Sequence, residues 1–177
     1  LDFETQCENV VELKKRGLVA QIGVSNYNAA QLRRALDIAG GPSDGGIVSV
    51  QNEFSPFYRH DLDVLDLCEE HGIAFLPWSP LGGSKKVDQL EQDAFSPLHE
   101  MARSKGVSAH ALVLAWLLAR SEVIIPIPGA TRPESIRDAV SAWDIELSDQ
   151  QRDEITAHLP KTLPRSEELE PSPPFRS

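Results

Sequence analysis

Alternation constrains this chain more than any other feature. Short apolar runs and helix-periodic stretches take turns along it. The runs are 18–24, 47–53 (IVSVQNE), 73–78 (IAFLPW) and 123–127 (VIIPI). Each is bounded by turn residues and has the length of a strand. Strands that are apolar nearly throughout and separated by helices predict a parallel sheet in an α/β fold. Two architectures fit: a four-stranded α/β sandwich, or half of a (β/α)8 barrel, which typically takes about 250 residues. The first helix has no strand before it, and the chain opens on Leu1, not Met. Both features predict a chain cut from something longer.

The helices carry their own punctuation. Residues 4–16 (ETQCENVVELKKR) read as a helix stopped by Gly17. Asn28 is placed to cap a helix over 29–39, with Leu32, Ala35, Leu36 and Ala39 on one face. Residues 40–46 (GGPSDGG) read as a solvated linker, not a phosphate loop, because no helix follows directly. A helix over 61–71 (DLDVLDLCEEH) closes at Gly72. After a long connection, 79–95, come a helix near 97–105 and an apolar helix, 109–120 (AHALVLAWLLAR), capped by Ser108. Another starts near Pro133, a residue suited to the first helical position. Ser148 and Gln151 form a capping box for the last, 149–158. Residues 1–159 thus read as one folded unit, and 160–177 as a Pro-rich irregular tail.

The chain has 177 residues, enough for a real core, and 41% of them are hydrophobic. Its formal net charge of −10 argues against nucleic acid or an anionic membrane surface as partner, since both demand basic patches. A local pocket for one phosphate is compatible with that charge. Cys7 and Cys68 lack CxxC spacing and predict two buried free thiols in a reducing compartment. No signal peptide and no run of about 20 apolar residues is visible, so the expectation is a cytoplasmic protein. Oligomeric state is open.

In either architecture the C-terminal ends of the strands build the site. The first run ends in Ser25-Asn26 and the second in Gln51-Asn52-Glu53. The third ends in Trp78-Ser79-Pro80-Leu81-Gly82-Gly83, and the fourth in Pro128-Gly129-Ala130-Thr131-Arg132 before a helix. These tips offer a hydroxyl, two carboxamides, a flat aromatic, a Gly-rich turn and a helix N-terminus, where free N–H groups attract anions. Together they suit a flat heteroaromatic ring that carries an amide and, at a distance, a phosphate. Each also has a plainer reading. Ser25-Asn26 makes a turn and a cap, Gln51 is a surface strand residue, Trp78 belongs to the core, and Gly129 breaks a strand.

GVSNYN, VQNEFSPF, LPWSPLGG and IPIPGATRPESI, in this order and spacing, resemble the C-terminal half of the aldo-keto reductases. The resemblance runs from about residue 4 to 158. It implies a partial TIM (β/α)8 barrel made of the family's fifth to eighth parallel strands with their helices. It implies an oxidoreductase that reduces an aldehyde or ketone with NADPH, with NAD also possible. Ser25, Asn26 and Gln51 would hold the nicotinamide carboxamide, and Trp78 would stack on the ring. Ser79 and Leu81, with the turn at Gly82-Gly83, would line the pyrophosphate. Gly129, Ala130, Thr131 and Arg132 would surround the adenosine phosphate with Ser135 nearby, and Asp138 would contact adenine.

The chain departs from the family in two places. Ala139 stands where Asn is common, and Ser135 where a basic or amide side chain is common. Both weaken the grip expected on a 2′-phosphate. The resemblance also implies that the catalytic Asp, Tyr, Lys and His belong to the other half of the barrel. Tyr27 and Tyr58 fall in motifs of this half, and none of the five histidines is a candidate. Two further readings stand beside the reductase: a non-catalytic nucleotide-binding or regulatory half barrel, and an unrelated phosphate-binding α/β domain.

Overall fold

The computed structural model describes residues 1–83, 86–91 and 95–162. Three parallel strands, β1 (Ile22–Ser25), β2 (Ile47–Glu53) and β3 (Ala74–Trp78), form one sheet in the order β1-β2-β3. Helices α1 (Phe3–Lys15), α2 (Ala29–Ala39) and α3 (Leu62–His71) alternate with them. After β3 come α4 (Ser96–Lys105), α5 (Ala109–Leu118), α6 (Pro133–Ser141) and α7 (Asp149–His158). The α/β architecture with parallel strands is the one expected.

The caps form as the sequence predicts. Asn28 accepts the Gln31 backbone N–H while the Gln31 side chain accepts that of Asn28, a reciprocal box at the start of α2. Ser148 and Gln151 repeat it at α7, and Ser108 accepts the Ala111 N–H at α5. Between Ala111 and Leu117 every residue of α5 is buried, which explains an apolar helix with no polar face. Trp116 stacks on Phe54 and donates its indole N–H to Thr156 in α7, 3.0 Å away. Cys7 and Cys68 are free and buried, as expected.

Three expectations change. First, β1 begins at Ile22, four residues later than the apolar run. Ile22 pairs with Ile47, the first residue of β2, so residues 18–21 meet no partner strand. Leu18 is left 62% exposed. Second, 123–127 is not a full strand but a single parallel bridge, Phe75 to Ile124. The Phe75 N–H donates to the Val123 carbonyl and the Ile125 N–H returns to that of Phe75. The next rung requires an N–H at residue 77 donating to the Ile125 carbonyl, and Pro77 has none. Beyond that gap the Ile127 N–H reaches the Pro77 carbonyl at 3.3 Å.

Third, 40–46 is no loose linker. Pro42–Asp44 form a 3-10 turn, and Gly41 and Gly46 are buried. A Cβ on Gly46 would stand 2.0 Å from the Gly40 carbonyl oxygen. Only glycine lets the backbone close that tightly. Residues 163–177, most of the predicted tail, lie outside the described residues.

The sheet has two unlike faces. Val24, Val50 and Phe75 stand side by side and pack into the core under the helices. The opposite face carries the rows Gly23-Ser49-Ala74 and Ser25-Gln51-Leu76, ending in Glu53 and Trp78. Gly23, Ser25 and Gln51 are exposed there. Parallel sheets ordinarily bury both faces. This one offers small and polar side chains on an open face.

Candidate functional site

Two of the predicted strand tips are locked together by hydrogen bonds. The Gln51 backbone carbonyl accepts both the Ser25 hydroxyl, at 2.9 Å, and the Asn26 N–H, at 3.0 Å. The third tip joins them through the Trp78 indole N–H, which donates to Asn26 Oδ1 at 2.9 Å. Ser25, Asn26, Gln51 and Trp78 therefore form one group at the edge of the open face. The Gln51 carboxamide bonds to none of the other described residues and is free for a ligand.

Backbone strain sits at the same place. Among the described residues only Asn26 (φ 58°) and Ser79 (φ 49°) are non-glycines in the left-handed region. Asn adopts that conformation readily and Ser less so. Such positions persist where surrounding contacts hold them, and they cluster at functional sites. The strand motifs carry no signal for this strain.

Ser79 opens the second part of the site. Its carbonyl accepts the Gly82 N–H at 2.7 Å, closing a tight turn, and the Gly83 carbonyl accepts the N–H groups of Lys86 and Val87. Beyond the turn lies a cleft of about 610 Å³. Ser79, Leu81 and Gly83 line it together with Gly129, Ala130, Thr131 and Ser135. Seven of the predicted site residues thus share one cavity. Val87 joins them from the 79–95 connection, where nothing in the sequence marks it out. The chain carries 27 acidic residues, yet among the described residues no carboxylate lines this cleft. An anion entering it meets hydroxyls, backbone and the first turn of α6.

Arg132 and Asp138 do not line the cleft. Arg132 is exposed at the N-cap of α6, and its side chain makes no capping bond there. Asp138 Oδ2 accepts the Ser108 hydroxyl at 2.8 Å, so this carboxylate braces the start of α5. Asn52 is buried and structural: its Nδ2 donates to the Tyr27 carbonyl (2.7 Å) and to Asp61 Oδ2 (2.8 Å), fixing the loops beside the tips. Glu53, half-buried at the end of β2, has its carboxyl pushed above the ordinary range, chiefly by burial.

Tyr27 beside the tips is a poor proton donor. Burial, with Cys7 beside it, pushes the Tyr27 hydroxyl up to about 12, away from a proton donor working near neutrality. Tyr58 lies against the Lys86 ammonium, 4.8 Å from its ring centroid. No group of three or more His, Cys, Asp or Glu among the described residues could hold a metal ion. No described helix is long and apolar enough to cross a membrane.

A family model for the aldo/keto reductase family matches residues 1–160. Pyridoxine 4-dehydrogenase of Escherichia coli is 35% identical over 148 residues, which is 84% of this chain and 48% of that protein. The solved structure of aldose reductase from Giardia lamblia aligns with a TM-score of 0.74 at 31% identity, over 89% of this chain and 51% of that one. An aldo-keto reductase of Bombyx mori, solved in complex with NADP, aligns with a TM-score of 0.73 at 25% identity, over 89% and 50%. The chain spans about half the length of the curated relatives it matches.

Proposed function

The chain belongs to the aldo/keto reductase family, and on that premise we propose that it is the cofactor-holding half of an NAD(P)H-dependent oxidoreductase acting on an aldehyde or ketone. Its three strands and the 123–127 segment would be the family's fifth to eighth barrel strands. The observation that carries this reading is the arrangement of the tips. A cluster of amide and hydroxyl groups adjoins, through Trp78-Ser79, a cleft that no carboxylate of the described residues lines. A dinucleotide has the matching polarity, with an uncharged carboxamide at one end and anionic phosphates at the other.

The residues present fit that cofactor. Ser25, Asn26 and Gln51 would fix the carboxamide and so select the ring face, with Trp78 beside the ring. Ser79, Leu81 and Gly83 would line the pyrophosphate. Gly129, Ala130, Thr131, Arg132 and Ser135 would surround the adenosine phosphate. NADP is the cofactor proposed, with NAD possible because Ser135 and Ala139 replace groups that commonly grip a 2′-phosphate. Asp138 would reach adenine only by sharing its carboxylate with Ser108. When bound, the nicotinamide supplies the hydride that passes to the carbonyl carbon.

What this chain contributes is orientation. Positioning lowers a barrier substantially, and a general acid adds a further factor of about 10²–10⁴. The family's proton donor and its partners would come from the other half of the barrel. The pure 177-residue chain should therefore show negligible reduction of aldehydes or ketones by NADPH. A steady-state assay at high protein concentration tests this. Robust turnover by the pure chain would place the catalytic acid among residues 1–177 and overturn this division of labour.

A further inference from the structure

The Trp78 side chain reaches across to another tip and bonds to a side chain there. An indole has a single N–H donor and no acceptor. Its partner, Asn26 Oδ1 at 2.9 Å, must therefore be the carbonyl end of the amide. The Asn26 backbone is held as well, by its left-handed conformation and by its N–H bond to the Gln51 carbonyl. With stem and carbonyl both fixed, the Asn26 NH₂ group is left as a donor with no partner among the described residues. The Gln51 carboxamide, with no partner among the described residues, keeps both ends available.

We propose that Trp78 is a positioning residue whose indole N–H turns the Asn26 amide, so that Asn26 serves only the oxygen of a ligand carboxamide. Trp78 then does more than offer a flat surface: it makes one of two interchangeable amides directional. The ligand carboxamide's own NH₂ is left to Gln51 or Ser25. This inference rests on the cofactor reading above for the identity of the ligand, and on the hydrogen bond itself for the orientation.

Two arms test it on the 177-residue chain. The first needs no ligand. The chain has three tryptophans; the Trp116 indole bonds to Thr156, and Trp143 is 78% exposed. In ¹⁵N spectra, Asn26→Ala should move the Trp78 indole resonance and leave the other two in place. Asn26→Asp, which keeps an acceptor, should leave all three near their original positions. A Trp78 resonance indifferent to Asn26→Ala overturns the proposal.

The second arm titrates NADP⁺ and, as a probe lacking nicotinamide, adenosine 2′,5′-bisphosphate. Trp78→Phe keeps a flat ring and loses the donor. It should weaken NADP⁺ about three- to tenfold, the worth of one modest hydrogen bond, and the bisphosphate less than about twofold. Asn26→Asp should weaken NADP⁺ at least as much, because it removes the NH₂ donor. Equal NADP⁺ affinity in Trp78→Phe and the parent chain overturns the positioning role. If the parent chain binds neither probe, the cofactor reading falls and the ligand named here falls with it, while the indole arm still decides the orientation.

Discussion

Asp138, which the resemblance matches to an adenine contact, is engaged within the fold. Its carboxylate accepts the Ser108 hydroxyl, and that hydroxyl oxygen also accepts the first-turn N–H of Ala111. One serine thus couples α6 to the start of α5. An N-cap is worth about 1 kcal/mol, and a partly exposed hydrogen bond a similar amount. Ser108→Ala should cost both contributions, and Asp138→Ala only the second. The double variant should therefore be less destabilised than the two single changes added together, with a coupling of about 0.5–1.5 kcal/mol. Urea denaturation of the four proteins measures it; strict additivity would mean that the contact carries no energy. At this scale the caps were legible in the sequence, because Asn28, Ser108 and Ser148 act within three residues of themselves. The Asp138 contact spans thirty positions, and no local pattern announces it. The left-handed backbone at Ser79 was equally hidden, since a serine there reads as an ordinary turn residue.

The elements follow the same division. Helix spans agreed closely with the apolar periodicity, because a helix closes its own hydrogen bonds. The strands agreed less well, because a strand exists only where a partner begins and ends. The run at 18–21 is apolar enough, yet β2 starts too late to pair with it. At 123–127 the obstacle lies on the neighbouring strand, in the missing N–H of Pro77. Pro77→Ala should supply that donor to the Ile125 carbonyl and extend the single bridge into a ladder. The expected outcome is slower hydrogen exchange at the Ile125 and Ile127 amides, with the α7 amides unchanged. Exchange unaltered at both positions would show that some other restraint keeps this segment from pairing. The clustering of the strand ends was legible at this scale. The four strand ends carried unusual polar residues, and three of them meet by hydrogen bonds while the fourth lines a cleft together with the third.

At the scale of the molecule the sheet's open face is the organising fact. A sheet whose helix side is packed and whose other side shows Gly23, Ser25, Ser49 and Gln51 is built to face something further. The chain matches the family model over residues 1–160 and spans about half the length of the curated relatives it matches. On the proposed function, the amide cluster and the cleft would serve one dinucleotide along the strand tips of a chain of formal charge −10. Amide shift mapping during a titration with NADPH tests this most directly. The account predicts one saturable event that moves Asn26, Gln51 and Ser79 together with Gly129, Ala130, Thr131 and Ser135. No saturable change, or changes confined to the helix-covered side, would contradict it.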